Sequence, residues 1–152
     1  DLNGQKIAFP SPNAFAASLL IRAQLKFTEK INFEPVYVNT HTNVYKYVVL
    51  GETEAGGGVN KTLAKESPDV QSRLKIIYRT PEFSSHPFCV NKKVPKNVAL
   101  KIQNAFLSLS LADQNNVKLL TAIEMIQPVS ANYKRDYAPL EKLKISTLVV
   151  SE

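Results

Sequence analysis

Short apolar runs recur at regular intervals through the first half of the chain. Residues 6–9, 31–38 and 74–78 contain such runs, and their β-branched and aromatic side chains predict strands. A further short strand is expected at residues 53–55, before a glycine run. Between the strands, apolar positions three and four residues apart predict helices. This alternation predicts an α/β fold, with a mainly parallel sheet covered by helices on both faces.

Capping residues predict where the helices begin and end. Asn13 suits the N-cap of a helix over residues 14–27, and the polar run 39–43 offers several caps for the next helix. Gly51 predicts the end of that helix, because glycine tolerates the left-handed conformation that terminates many helices. A further short helix is expected over residues 60–65.

The pattern changes after residue 80. An extended apolar run covers residues 83–91, and a helix is predicted over 95–110. Asp113 and Asn132 are candidate N-caps for two more helices. The tail 146–152 is apolar enough to form a strand or to pack on a neighbouring element, and the sequence leaves both open.

Composition narrows the classes of partner. The chain has 152 residues, 44% of them apolar and 21% charged, which is typical of a soluble globular protein. Its net charge of +6 permits an acidic partner, but the basic residues are scattered and form no nucleic-acid motif, so no nucleic acid is expected. Cys89 is the single cysteine, which excludes an internal disulfide, and its apolar neighbours predict a buried thiol.

The sequence lacks motifs for catalysis or cofactor binding. It has two histidines and contains neither a G-x-S-x-G elbow nor an H-E-x-x-H zinc motif. The glycines at 56–58 lack the lysine of a P-loop, and their bare backbone suits either a close approach to a ligand or a steric need. We therefore expect no enzyme activity, no catalytic residue, no metal and no cofactor.

Three stretches resemble a known family. They are H-x-x-V-Y-x-x-V-x-x-G-E-x-x-A-G-G-G-V at 41–59, D-L-x-G-x-x-I-A-F-P-S-P at 1–12, and R-T-P followed by H-P at 79–87. In this order and spacing the chain resembles periplasmic substrate-binding proteins of the phosphate/phosphite/phosphonate ABC-transporter type. The resemblance implies a type 2 periplasmic-binding-protein-like fold, in which two α/β lobes hold the ligand in the cleft between them.

The resemblance also implies a division of the chain. Residues 1–80 would form one complete lobe, and residues 81–152 the return strand and C-terminal helices of the other. The N-terminal half of that other lobe would precede Asp1, so the chain is expected to be a C-terminal fragment. Because an apolar run at 83–91 without its partner strands is an association hazard, we expect a homodimer, a segment swap, or helices packed back on the first lobe.

The implied function is solute binding outside the cytoplasm. The protein would be periplasmic, or extracytoplasmic and lipid-anchored. It would capture a small oxyanion and deliver it to the membrane permease of an ABC transporter. The same fold also serves as the ligand-sensing domain of histidine kinases and cyclases, and an enzyme on this scaffold is a further alternative. Flanking sequence separates transport from sensing, and a screen for turnover of phosphate esters or phosphonates separates both from catalysis.

Six residues are expected to contact the ligand: Ser11, Asn13, His41, Thr42, Lys61 and His86. Ser11 and Asn13 lie at a strand-to-helix turn, where a hydroxyl, an amide and backbone N–H groups suit an oxyanion, although ordinary capping explains them equally well. Relatives carry Ser-Thr-Ser-Gly here, whereas residues 14–17 read A-F-A-A and leave only backbone donors. His41 matches the family's histidine at the mouth of the cleft, and capping also accounts for Thr42.

Two departures from the family concern the charge of the ligand. Relatives that bind aminoalkylphosphonates carry a carboxylate after the glycine-rich turn, where this chain has Lys61, and another before a proline, where it has His86. Both replacements would repel an ammonium group. The resemblance therefore implies an oxyanion without an amine, such as phosphate, phosphite or a simple alkylphosphonate. The alternative is a Lys61 that merely projects into solvent.

Overall fold

The structure is a computed structural model that describes residues 1–109, 113–123, 125 and 127–151. The chain forms two compact units. The first, called the sheet unit, contains Asp1–Glu82 together with the C-terminal segment from Ala138, which is called the tail from here on. The second, called the helical unit, contains Phe83–Tyr137. Each unit is described by itself.

A three-stranded parallel sheet forms the centre of the sheet unit. Its strands are β1 (Lys6–Phe9), β2 (Glu34–Tyr37) and β3 (Ala55–Gly56), in the order β2-β1-β3. Phe9 pairs with Tyr37 on one side of β1, and Ile7 pairs with Ala55 on the other. The predicted α/β fold with a parallel sheet is confirmed. Because β1 is the central strand, its last three residues are at most 1% exposed.

Two helices cover the sheet. The first, α1, is one continuous helix of three segments, π-helical over Phe15–Leu20, α-helical over Ile21–Ala23 and π-helical over Gln24–Thr28. The second, α2, is His41–Val49. Val44 of α2 packs with Ala8 of β1 in a cluster of buried apolar side chains.

Gly56, the last residue of β3, and Gly57, which follows it, show that α1 and α2 lie on opposite faces of the sheet. A Cβ on Gly56 would collide with Val44 of α2, whereas a Cβ on Gly57 would collide with the carbonyl oxygen of Ala17 in α1 and come within 2.8 Å of Phe9 Cδ1. Successive Cβ atoms of extended backbone point to opposite faces. The glycine run therefore meets a steric need, which arises because two helices approach the same short strand.

The predicted boundaries of α2 are confirmed. Thr40 is its N-cap, with Oγ1 accepting a hydrogen bond from Asn43 N at 3.1 Å. Gly51, with φ of +76°, follows the last turn. Two short helices come next, α3 (Asn60–Leu63), which was expected, and α4 (Pro68–Ser72), which was not.

The start of α1 differs from the prediction. Its N-cap is Ala14, which makes no side-chain capping bond, and not Asn13. The Asn13 side chain instead forms hydrogen bonds to the backbone of Val150, 137 residues away. A partner this distant is invisible to a pattern of local spacing, which explains why the prediction was wrong.

The strand predicted at residues 74–78 is also absent. This segment lines a cavity of about 770 Å³ beside β3, and Ile77 is 64% exposed. β3 is two residues long and offers little edge for a further strand to pair with. The high β-propensity of residues 74–78 is therefore not enough to form a strand, because a strand also needs a neighbouring strand to pair with.

The helical unit contains three described helices, α5 (Lys96–Leu107), α6 (Gln114–Ala122) and α7 (Tyr133–Asp136). Both predicted caps are confirmed: Asp113 Oδ1 accepts from Asn115 N at 2.8 Å, and Asn132 Oδ1 accepts from Arg135 N at 3.1 Å. The predicted end of α5 at residue 110 lies outside the described residues. No helix in the described part of the chain has the length and apolarity to cross a membrane.

Asp136 reinforces the first turn of α7. Its carboxylate accepts hydrogen bonds from the Arg135 guanidinium at 2.6 and 2.9 Å and from the Asn132 backbone N–H at 2.7 Å. These bonds, above all those from Arg135, hold the pKa of Asp136 at about 2. The residues before and within α7 thus satisfy each other's donors and acceptors reciprocally, as in a capping box.

The apolar run at residues 83–91 forms no strand. Phe88 is 71% exposed, and its ring contacts that of Phe106 at 5.0 Å between centroids. Cys89 is exposed, so the expectation of a buried thiol was wrong; the flanking apolar residues do not bury it because the run stays irregular. Association through this run, as a homodimer or a segment swap, stays a prediction that light scattering tests.

The tail packs on α1. It forms two 3₁₀ helices, Ala138–Leu143 and Ile145–Leu148. Leu148 is buried in a cluster with Leu19 and Ala23 of α1, against which Ile145 also packs. Of the two possibilities left open for the tail, packing on a neighbouring element is the one observed in the described residues.

Gly57 provides a test of the close approach between α1 and the sheet. We expect Gly57→Ala to lower the free energy of unfolding by about 3 kcal/mol, since the added methyl meets the α1 backbone. Chemical denaturation measures the change. Gly4→Ala is the control, because nothing lies within 4 Å of its added Cβ and only its φ of +75° opposes the change, at about 1 kcal/mol. Equal losses for the two variants would contradict the packing argument.

Candidate functional site

The parallel sheet brings three loops to one edge. β1, β2 and β3 run in the same direction, so the chain leaves all three at the carboxyl ends of the strands. We call residues 10–14, 38–42 and 57–61 the carboxyl edge; they include the first residues of α2 and α3. Open α/β sheets bind ligands at this edge. Five of the six predicted contact residues lie there: Ser11, Asn13, His41, Thr42 and Lys61.

The first loop offers donors of two kinds. Ser11 is half-buried and brings a hydroxyl to this loop. α1 then begins at Phe15 without a side-chain cap. Backbone N–H groups of the first turn point toward the helix start, and the helix dipole favours negative charge beside them.

Asn13 serves the tail in this structure. Its Nδ2 donates to the Val150 carbonyl oxygen at 2.8 Å, and its Oδ1 accepts from Val150 N at 2.9 Å. The amide thus pairs with the tail backbone much as a neighbouring strand would. Its oxygen and one of its N–H groups are engaged before any ligand arrives.

The second loop presents His41 as the first residue of α2. The loop is held to the helix, since Asn43 Nδ2 donates to the Val38 carbonyl oxygen at 2.8 Å. His41 is half-buried, and its Nδ1 is a buried atom without a hydrogen-bond partner in the described residues. An unpaired lone pair is tolerated better than an unpaired buried N–H. Nδ1 is therefore assigned the lone pair, which leaves the Nε2–H as the donor that His41 can offer.

Thr42 directs its hydroxyl to a carboxylate. Its Oγ1 donates to Oε1 of Glu66 at 2.7 Å. A hydroxyl has one proton to donate, and an ionised carboxylate only accepts. While this bond holds, Thr42 has no side-chain donor for an oxyanion.

The third loop is held by Tyr45 of α2. Its hydroxyl lies 2.6 Å from Thr62 Oγ1 and 3.2 Å from the Val59 carbonyl oxygen. A Cβ on Gly58 would come within 2.7 Å of the same hydroxyl. Tyr45 is buried. Its contacts link the glycine run and α3 to α2, and they fix the position at which α3 begins.

Two cations lie beside the third loop. Lys61 is the second residue of α3 and is exposed. Arg79 Nη1 donates to Asn60 Oδ1 at 2.6 Å, which holds an exposed arginine against the first residue of α3. Cations at this position suit an anionic ligand.

His86 is in a different unit from the other five residues. It belongs to the helical unit and is exposed there. The sheet unit therefore brings together the other five predicted contacts, and His86 is not among the residues that its parallel strands position.

Sequence reasoning missed Arg22, Tyr45 and Glu66. Nothing in the spacing of Tyr45 reveals the hydrogen bonds of its hydroxyl to residues 59 and 62. Glu66 meets Thr42 through a contact that depends on the path of α3. Arg22 had a signal in the sequence, since it lies three residues after Leu19 and so shares the apolar face of α1.

The pairing of Asn13 with the tail is open to a direct test. We expect Asn13→Ala to remove two hydrogen bonds, at about 1 kcal/mol each, and so to speed hydrogen exchange of the Val150 amide. Asn3→Ala is the control, because Asn3 also accepts a backbone hydrogen bond, from Asn32 at 3.0 Å. Unchanged exchange at Val150 in the Asn13 variant would show that the pairing does not hold in solution.

Comparison with known proteins identifies the family. A search of curated proteins finds no match. A family model described as an ABC transporter, phosphonate, periplasmic substrate-binding protein matches residues 1–137 of the 152. The match includes the three loops of the carboxyl edge and the whole helical unit, and it confirms the resemblance carried by the sequence motifs. The chain therefore belongs to the family of periplasmic, phosphonate-binding substrate-binding proteins of ABC transporters.

Proposed function

We propose that the protein is the extracytoplasmic solute-binding component of an ABC transporter. It captures a small oxyanion of the phosphate, phosphite or phosphonate class and presents it to the membrane permease. The observation that carries the proposal is the parallel sheet, whose carboxyl edge gathers the Ser11 loop, His41 and the glycine run. Family membership supports the same role.

The donors at the carboxyl edge suit an oxyanion. A tetrahedral oxyanion accepts several hydrogen bonds and is attracted to positive charge. The uncapped start of α1, the Ser11 hydroxyl and His41 Nε2–H supply donors from two loops. Asn13 and Thr42 take lesser parts, because their side chains are engaged by Val150 and Glu66.

The sheet unit forms one wall of the cleft in this proposal. Residues 1–80 supply the loops just described, and the segment after residue 80 belongs to the second lobe, which would contribute His86. The tail is an exception to this division, because Leu148 packs with Leu19 and Ala23 of the sheet unit.

Charge selects the ligand. Lys61 lies at the third loop, and Arg79 is held beside it through Asn60. A ligand that carries an ammonium group would place like charges close together, which is unfavourable. We therefore propose an oxyanion without an amine as the ligand.

His41 and Thr42 are adjacent on α2 and give a matched pair of variants. We expect His41→Ala to weaken binding of phosphite by about tenfold, since a donor to a charged ligand is lost. Thr42→Val should change the affinity by less than about twofold, because its hydroxyl proton already serves Glu66. Calorimetry on the intact protein measures both. A larger effect from Thr42→Val than from His41→Ala would reverse the roles proposed here.

Lys61 tests the proposed ligand charge. We expect Lys61→Glu to weaken binding of phosphate or methylphosphonate by about tenfold, because a favourable charge becomes a repulsive one. Lys6→Glu is the control, since it makes the same change of charge at the start of β1, the opposite end of the strand. Competition calorimetry with 2-aminoethylphosphonate completes the test. Tight binding of that amine by the wild-type protein, with no binding of amine-free anions, would refute the proposal.

A further inference from the structure

Arg22 of α1 is a buried cation with neutral partners. Its residue surface is 9% exposed. Nη1 donates to the Pro12 carbonyl oxygen at 2.9 Å, and Nη2 donates to the Leu148 carbonyl oxygen at 3.3 Å. The guanidinium also lies 5.7 Å from the centroid of the Tyr37 ring. In the described part of the chain no carboxylate forms an ion pair with it.

These partners compensate the charge only in part. Carbonyl oxygens and an aromatic face attract a guanidinium, but a buried charge without a counter-charge carries a desolvation penalty. Neutral acceptors also do not require an arginine, since a glutamine can donate to the same carbonyl without charge. The charge is therefore the property of Arg22 that its visible contacts leave unexplained.

The location of the guanidinium supplies a reason for the charge. Pro12 belongs to the first loop of the carboxyl edge, and Tyr37 is the last residue of β2. The Arg22 side chain thus extends toward the start of α1, and its guanidinium lies at the first loop of the carboxyl edge. A guanidinium in this place attracts an anion bound to the loops, and burial reduces the screening of that attraction by salt.

We propose that Arg22 is a positioning residue for the oxyanion site, which holds the Pro12 carbonyl and lends the site a fixed positive charge. The inference rests on the proposed function. Arg22 acts from behind the loop, since both of its hydrogen-bonding nitrogens serve backbone carbonyls. Its charge attracts the ligand in proportion to the ligand's negative charge, whereas its hydrogen bonds hold the conformation of the loop.

Two variants separate the charge from the hydrogen bonds. Arg22→Gln removes the charge and keeps one donor, and Arg22→Lys keeps the charge and loses the forked geometry. Calorimetry on the intact protein, at one slightly alkaline pH, compares phosphite as a dianion with hypophosphite as a monoanion of similar size. We expect Arg22→Gln to weaken phosphite on the order of tenfold and hypophosphite clearly less. Arg22→Lys should weaken both and preserve their ratio.

Arg73→Gln is the matched control. The exposed guanidinium of Arg73 also donates to a backbone carbonyl, that of Val49 at 3.0 Å, but at the end of α2 away from the carboxyl edge. We expect this variant to leave the affinity for both anions unchanged. Urea denaturation of each variant reports its stability independently of binding.

The outcomes distinguish the inference from the function on which it rests. Equal loss of phosphite and hypophosphite binding in Arg22→Gln would reduce Arg22 to a structural residue and overturn the inference alone. If Arg22→Gln does not fold, the Arg22→Lys variant provides the test. Loss of its preference for phosphite over hypophosphite would also overturn the inference, because this variant keeps the charge. Failure of the wild-type protein to bind phosphate, phosphite or methylphosphonate would overturn the proposed function and the inference together.

Discussion

The parallel pairing of β1 with both of its neighbours is the constraint on which the candidate site depends. Parallel strands end at the same edge of a sheet, so the loops that follow them are neighbours. The pairing of β1 with β2 and β3 therefore fixes the positions of three loops together. The pairing of Phe9 with Tyr37 places the Ser11 loop next to the one before His41. The pairing of Ala8 with Gly56 places the glycine run on the other side. Each loop by itself is short and polar, and only the sheet makes them neighbours.

Close approach of the helices then holds these loops in place. Gly57 lets the backbone of α1 lie against the chain that leaves β3, and Tyr45 ties the same chain to α2. Binding sites need side chains held by their own supporting contacts, and here the support is mostly packing and hydrogen bonds to backbone. The tail adds a third restraint, since Leu148 and Val150 are bound by Arg22 and Asn13. Stability and site geometry are therefore properties of the same contacts.

The sequence predicted those parts of the fold that depend on interactions between residues close together in the chain, such as helix caps. Thr40 in the polar run, Asp113 and Asn132 cap the helices that follow them, because a cap acts within three residues of itself. The failures share a dependence on distant partners. Asn13 looks like a cap but bonds to the tail, and the strand expected at residues 74–78 lies beside β3, which is only two residues long. For the candidate site, the order of motifs indicated which loops to consider, but spacing could not reveal that Glu66 accepts a hydrogen bond from the Thr42 hydroxyl.

The site proposed here differs from a hydroxyl-rich anion site in the source of its positive charge. With A-F-A-A at residues 14–17, the first turn of α1 supplies only backbone N–H groups, and these carry partial charges rather than a full one. Two of the polar side chains at the carboxyl edge are engaged elsewhere, Asn13 by Val150 and Thr42 by Glu66. In the proposed site, positive charge would come from Arg22, which binds the Pro12 carbonyl of the first loop, and from Lys61 in the third loop. A site built in this way would discriminate by total charge more than by the pattern of hydroxyl donors, in line with the proposed small oxyanion without an amine.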